Sequence, residues 1–536
     1  MQKHIIVIGA GPAGLTSAYL LSKQGVPEHL QDENATKYNV TVLEADPEYV
    51  GGLARTVHYK GFHFDIGGHR FFSKSKEIED LWTEILPHDM LERPRSSRIF
   101  YRQRFFSYPL KAFEALFQLG ILESVLCMIS YIFSKIRPIN NPKSFEDWVS
   151  NQFGKRLYSI FFKTYTEKVW GMSCKEISAD WARQRIKGLS LGKAIFYSLF
   201  PQKNNSKKQT AVIKTLIDSF RYPRKGPGMM WEEAKRKIEK NGGKVLLGHK
   251  VTGLTFNSQT KKWTVATQNT NASKHPERSQ DGEATKYPEC SQDGEATKYY
   301  EATHVISSAP LREVIHSLSP RPEEAVMKAA QALKYRDFLT IVLILKEKNS
   351  FQDNWIYIHD PSVKVGRIQN FKSWSPEMVP DPSLNCYGLE YFCFEGDGLW
   401  TSSDEKLKAL ATDELVQLGL AQREDVLDCC VVRQKKAYPV YDDHYATHVE
   451  VIRKAAEKDY PNLFLVGRNG MHKYNNQDHA MMTAMLTVEN ILHEKQLYNV
   501  WNVNEDAGYH EAGHAGQEES FTGVREVPKK INLQNA

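Results

Sequence analysis

Apolar and polar positions along this chain change period several times, and the changes mark its elements. Residues 4–8, HIIVI, are a continuous apolar run of strand length, the pattern of a strand covered on both faces. A glycine-rich turn follows, and residues 12–23 then bring apolar side chains back at helical spacing. Residues 39–46, NVTVLEAD, form the next short strand pattern. The β-α-β order predicts the start of a parallel, doubly wound sheet. From about 113 to 199 the pattern is helical and aromatic, which predicts a separate cap. Within it, residues 116–133, LFQLGILESVLCMISYIF, have about the length that spans a bilayer. Gln118, Glu123 and two serines interrupt that run. It therefore reads as a buried or amphipathic helix, with membrane-surface contact the less favoured alternative.

Further along, residues 222–256 predict a turn, a long helix and a pair of strands. KKWTVATQ (261–268) continues as a strand, and EATHVISSAP (301–310) supplies another. Residues 338–346, FLTIVLILK, and 385–394, NCYGLEYFCF, predict a second sheet between about 334 and 442. PNLFLVGRNG (461–470) reads as a strand returning to the first domain, followed by a helix from about Asp478. Beyond 500 the chain is polar and glycine-containing, and a mobile tail is expected.

One twelve-residue frame occurs three times: PEHLQDENATKY at 27–38, PERSQDGEATKY at 276–287 and PECSQDGEATKY at 288–299. The first copy separates the helix of the β-α-β unit from its second strand. The tandem pair separates two strands that need only a short connection. Both read as insertions into surface turns, where added length costs little closure entropy.

Composition narrows the class. A chain of 536 residues with 41% hydrophobic and 25% charged residues is globular and too long for one core. A net charge of +6 without a Lys/Arg block interleaved with aromatics gives no nucleic-acid signature. The N-terminal apolar run is too short for a signal peptide. Seven cysteines without a C-x-x-C pair or paired histidines predict reduced thiols and no metal site. A cytoplasmic location is expected, with peripheral membrane association as the alternative; homo-oligomerisation stays open.

Chemistry enters with the glycine turn. Gly9, Gly11 and Gly14 fit G-x-G-x-x-G at a strand-to-helix junction, where the backbone approaches a pyrophosphate and a helix N-terminus faces it. The expected ribose-binding acid belongs about twenty residues on. Glu44 sits 30 positions after Gly14, and removal of the twelve residues 27–38 leaves 18. The insertion accounts for the excess, and dinucleotide binding follows.

Which dinucleotide is decided by resemblance. EADPEYVGGLARTVHYKGFHFDIGGHRFF (44–72) resembles the flavoprotein superfamily of amine oxidases, protoporphyrinogen oxidases, carotenoid desaturases and UDP-galactopyranose mutases. There a GG-x-x-R segment lies along FAD, and Gly51, Gly52 and Arg55 match it. LFLVGRNGMHKYNNQDHAMMTAMLTVENIL resembles the second flavin segment, implying Gly467, Arg468 and Asp478 at the cofactor, and Val251 matches a position whose backbone meets the adenine. The implied fold is α/β: a discontinuous Rossmann-type FAD-binding domain (1–111, 206–330, 451–499), a helical cap (112–205) and an antiparallel-sheet substrate domain (331–450), then the tail (500–536).

Outside the FAD segments the resemblance leans towards UDP-galactopyranose mutase. DIGGHRFFSK places His69 near the flavin, and FFKTYTEKVWG places Trp170 at the substrate. LKYRDFL matches Arg336 to an arginine that grips a diphosphate, VGRIQNF offers Arg367, and GRNGMHKYNNQD offers Tyr474. A small-molecule substrate, in particular a nucleotide sugar, is implied, with reduced FAD as the active form in a mutase. Guanidinium forks suit a diphosphate. There are departures: Asp337 stands for a serine, Gly366 for a threonine, and residues 172–188 match only loosely, with Arg183 and Arg185 as the candidates there for the diphosphate arginine. An FAD oxidoreductase of the amine-oxidase or desaturase type, taking hydride from an apolar substrate, is the alternative. Each residue also has a plainer reading, Trp170 as a core aromatic and Arg336 as a partner of neighbouring Asp337 or a strand cap.

Overall fold

Ile5, Ile6 and Val7 of strand β1 (Lys3–Ile8) are fully buried, so this strand must have packed atoms on both faces. The computed structural model, which describes residues 3–23, 38–108, 110, 112–179, 219–270, 297–348, 350–504 and 531, puts β1 in mid-sheet. It pairs in parallel with β2 (Tyr38–Leu43) on one side and with His304–Ser307 on the other. Lys244–Leu246 and Leu463–Leu465 complete a five-stranded, all-parallel sheet. Helix α1 (Pro12–Lys23) connects β1 to β2 and packs against helices Gly228–Lys240 and Gln477–Leu492. A mixed α/β fold with a parallel sheet drawn from distant parts of the chain is thus present.

Two further sheets surround it. One has four strands, running Lys298–Ala302, Lys262–Asn269, His249–Asn257 and Leu318–Ser319 across the sheet. Lys262–Asn269 and Lys298–Ala302 are antiparallel neighbours, so the tandem repeat falls in a hairpin connection. The other has seven strands and is built on Tyr335–Lys346, buried along all but its last residue. That strand lies antiparallel between Leu384–Cys393 and Val426–Pro439. The early hairpin of Ser97–Tyr101 and Arg104–Ser107 joins the far edge of this sheet, beside Trp355–Ile358. Residues 27–37 and 276–296 of the repeats, Arg183, Arg185 and most of the tail lie outside the described residues.

The cap is helical over Ala112–Leu119, Ile121–Ile136, Phe145–Phe153 and Thr164–Trp170. A capping box between Ser144 and Asp147 starts the third of these. For residues 116–133 the buried reading is overturned. They fall in two helices broken at Gly120, and in the longer one only Cys127 is buried. Among the described residues no helix is long and apolar enough to cross a membrane.

Candidate active site

Parallel strands leave their carboxyl ends on one side of a sheet, and here those ends open into a cavity of about 390 Å³. Gly9, Glu44, Ser308 and Gly467, each at the end of one of its strands, all line it. A Cβ on Gly14 would stand 1.9 Å from the Gly9 carbonyl oxygen, so only glycine lets α1 pack this close to β1. A Cβ on Gly52 would stand 3.2 Å from the Cα of Gly11, across a gap that any side chain would fill. This cradle and the N-terminus of α1 give the two features an anionic pyrophosphate needs: backbone access and free N–H groups.

Glu44 is fixed beside the cradle. Its Oε2 accepts from the Ala10 N–H at 2.6 Å and its Oε1 from the Asp46 N–H at 2.8 Å. Burial raises its pKa against these two hydrogen bonds. Each carboxylate oxygen keeps a second lone pair for a ribose hydroxyl. Val251 lines the same end, where a register shift between Val251 and Gly253 bends the strand. Arg55 braces the loop instead of lining the cavity: its Nη1 donates to the Gly52 carbonyl at 3.1 Å and to Gln434 Oε1 at 2.6 Å.

At the other end the walls come from the last strand and helix. The Gly467 N–H donates to Thr483 Oγ1 at 3.0 Å, and the Arg468 Nε donates to the Asn475 carbonyl at 2.9 Å. The Arg468 guanidinium lies 5.1 Å from the Tyr438 ring and 5.7 Å from the Tyr474 ring. Asp478 is buried in the first turn of Gln477–Leu492 and does not face the cavity. The preceding Asn475 and Asn476 do, with Gln477. Among the described residues, both polar atoms of the Gln477 amide, and Asn475 Oδ1, are buried without hydrogen-bond partners. Orphaned amide atoms in a cavity wall are costly unless a ligand satisfies them. Two helix N-termini, a glycine cradle, a ribose-type carboxylate and unsatisfied amides together fit FAD. Sequence reasoning singled out none of Gln477, Asn475, Ser308 and Gln434, although the first two lie inside the second flavin segment. Their local signal is a polar stretch before an apolar helix, which usually reads as a cap.

The candidate substrate residues separate into two groups. His69 lines the cavity, and a Cβ on Gly67 would lie 3.9 Å from both its Cε1 and an Arg367 nitrogen. Burial pushes the His69 pKa down to about 3, with the charges of Arg468 and Arg367 adding to the shift, so the ring is neutral. Arg367 is ion-paired with the fully buried Glu390, which also accepts from Gln369 Nε2 at 2.6 Å. His69, Arg367, Arg468 and Tyr474 therefore form one neighbourhood.

Trp170 and Arg336 stand behind it. The Trp170 ring is buried in the apolar core, 5.8 Å from that of Tyr441. Arg336 donates to the carbonyls of Val169 (3.2 Å), Lys168 (3.4 Å) and Phe392 (2.8 Å), with its guanidinium 4.0 Å from the centre of the Phe394 ring. It thus caps the C-terminus of Thr164–Trp170. The acid at Asp337 accepts the backbone N–H groups of Glu395 (2.6 Å) and Lys436 (2.7 Å), and so holds two loops together. A side chain on Gly366 would meet the Phe392 ring at 3.0 Å.

Comparison with known proteins is consistent with this geometry. A model of the family described as flavin containing amine oxidoreductase matches residues 12–492. The chain is 36% identical over 78 residues to L-amino acid oxidase Cdc18 of Crotalus durissus cumanensis, covering 15% of this chain and 13% of that one. It is 26% identical over 184 residues to dTDP-fucopyranose mutase of Escherichia coli, 33% of this chain and 45% of the relative. These matches span less than half the length of either curated relative. The structure of reduced UDP-galactopyranose mutase superposes with a TM-score of 0.72 at 18% identity, over 92% of this chain and 94% of the other. That last likeness is one of fold.

Proposed function

The chain belongs to the flavin containing amine oxidoreductase family, and from that premise we propose that it is an FAD enzyme acting on a nucleotide sugar, as an isomerase of the mutase type. The observation that carries this reading is the Arg468 guanidinium in the cavity wall beside a neutral His69, with Arg367 close enough to add its charge to the His69 site. Arg468 bonds the neutral carbonyls of Asn475 and Ala437, so its charge remains for an incoming anion. A fork of planar donors suits a diphosphate. Tyr474 and Tyr438 both lie within cation–π distance of the Arg468 guanidinium.

Gly9, Gly11, Glu44, Gly52, Val251 and Gly467 would hold FAD, whose N5 would supply a nucleophile when reduced or a hydride acceptor when oxidised. The chain's own residues do the rest. His69, neutral at physiological pH, has one ring nitrogen bonded to the Gly67 backbone and the other unpartnered among the described residues, and it brings no charge to neutralise the substrate. Trp170 and Arg336 act through the helix that they terminate, setting the wall behind the pocket.

A second reading has one observation in its favour. Glu390 neutralises Arg367, which lowers the net charge of the pocket and suits an uncharged substrate that gives up hydride. Turnover of UDP-galactofuranose by dithionite-reduced and oxidised holoprotein separates the two. Product from the reduced form only is the expected result. No turnover, together with bleaching of the flavin by an amine or a polyene, would replace the isomerase with the oxidoreductase.

A further inference from the structure

Among the described residues, ten of the fifteen exposed large apolar side chains fall between Phe117 and Ile139. They belong to the helix pair Ala112–Leu119 and Ile121–Ile136 and the few residues after it. Phe117 and Ile121, each 88% exposed, flank the Gly120 turn, and Val125, Ile129, Ile132 and Ile136 carry the apolar stripe along the longer helix. The opposite side of that helix holds Glu123, Cys127, Ser130 and Ser134. Cys127 is buried, Ser130 Oγ accepts the Arg156 N–H at 3.0 Å, and Glu123 pairs with Arg156. The helix thus turns its small and polar side inward and its apolar side outward. A helix on a water-facing surface does the reverse, and a continuous bare patch of this kind marks an interaction site.

Charge identifies the partner. Between Arg102 and Lys143 there are six basic residues and two acidic ones. Both acids are engaged: Glu114 accepts from the Ser107 N–H and hydroxyl, and Glu123 is paired with Arg156. Arg102, Arg104, Lys135 and Arg137 are exposed around the stripe. Arg104 donates to the Gln118 carbonyl at the turn end, and Lys135 and Arg137 stand at the far end. We propose that this helix pair seats the protein on a membrane surface bearing anionic headgroups, with Phe117, Ile121 and the stripe among the acyl chains and the basic residues against the phosphates. A second copy fits less well, because a two-fold contact would bring the same basic rim against itself.

Flotation of the flavin-loaded protein on vesicles of phosphatidylcholine, with and without phosphatidylglycerol, tests this. The protein is expected to float with the mixed vesicles and to dissociate as salt is raised. Ile129→Glu should reduce the bound fraction about tenfold, the scale of losing one buried isoleucine. Its flavin absorbance and melting temperature should stay unchanged, because Ile129 is 58% exposed and lies outside the buried core. Arg137→Glu should weaken binding to the mixed vesicles while leaving any binding to pure phosphatidylcholine alone. Absence of flotation, or flotation that Ile129→Glu leaves intact, overturns the proposal. A dimer in sedimentation velocity that Ile129→Glu dissociates, without flotation, assigns the face to a second copy instead.

Discussion

Gly11 and Gly52 approach each other so closely that the width of the cofactor cradle is set by the absence of side chains. Gly11→Val narrows that gap without a backbone penalty, since Gly11 is not among the positive-φ glycines. The expected outcome is a folded protein that holds flavin at least tenfold more weakly, about 1.4 kcal/mol, read as absorbance ratio after gel filtration. These positions were legible in the sequence because close backbone approach admits one residue type at a fixed spacing. Gln477 was not, since its unsatisfied amide exists only where the cavity meets its helix. His359 gives a second residue-level expectation. Its ring stacks on Tyr165 at 5.1 Å, and burial, aided by Lys168, pushes its pKa down to about 3 from 6.5. The unfolded chain therefore takes up the proton first on acidification. The stability this histidine gives is present above pH 6.5 and is lost as pH falls towards 3. His359→Phe keeps an aromatic stack and removes that loss. Its stability relative to wild type should rise by about 1.4 kcal/mol per pH unit over this range, measured by urea denaturation at several pH values.

Helix Thr164–Trp170 shows how an element can change what a residue is for. Its C-terminal carbonyls are gathered by Arg336, while Lys168 donates to the carbonyls of Ile358, Asp360 and Val365 at 3.3, 2.7 and 3.0 Å. Burial lowers the Lys168 pKa to about 8, against the attraction of Glu414 and Asp360. The sequence pattern nominated Arg336 for a diphosphate, whereas the fold spends its donors on backbone. Arg336→Ala should cost about 2–4 kcal/mol in denaturant melts, the value of several charge-assisted hydrogen bonds at a helix end. UDP affinity should fall with it through the displaced helix, and unchanged stability would return Arg336 to the ligand. The same gap between pattern and packing appears in Ile121–Ile136. Its amphipathic period was readable, but which face turns inward depends on Ser130, Glu123 and Arg156 meeting across sequence.

Across the whole molecule, the five parallel strands come from residues 3–8, 38–43, 244–246, 304–307 and 463–465, and of the repeated frame only Tyr38, Lys298 and Tyr299 belong to described strands. Deleting residues 276–287 leaves Lys298 and Tyr299 to pair with Thr267 and Ala266. That variant should keep its flavin and melt within about 1 kcal/mol of wild type, because loop closure changes slowly with length. A similar deletion of 27–38 should also retain flavin, although it removes Tyr38 opposite Lys3. A lost flavin in either variant would show that the insert supports the site. The sequence by itself determined the β-α-β start, the glycine cradle, the place of Glu44 at the end of β2 once twelve inserted residues were subtracted, and the discontinuous α/β plan. These are local in spacing or fixed by backbone sterics, so they survive without knowledge of neighbours. Tertiary structure alone decided that the 97–107 hairpin joins the seven-stranded sheet, that Arg367 pairs with Glu390 while Arg468 bonds backbone carbonyls, and that an apolar helix face looks outward. Those facts depend on which side chains meet across hundreds of residues, and burial and charge pairing are properties of that meeting.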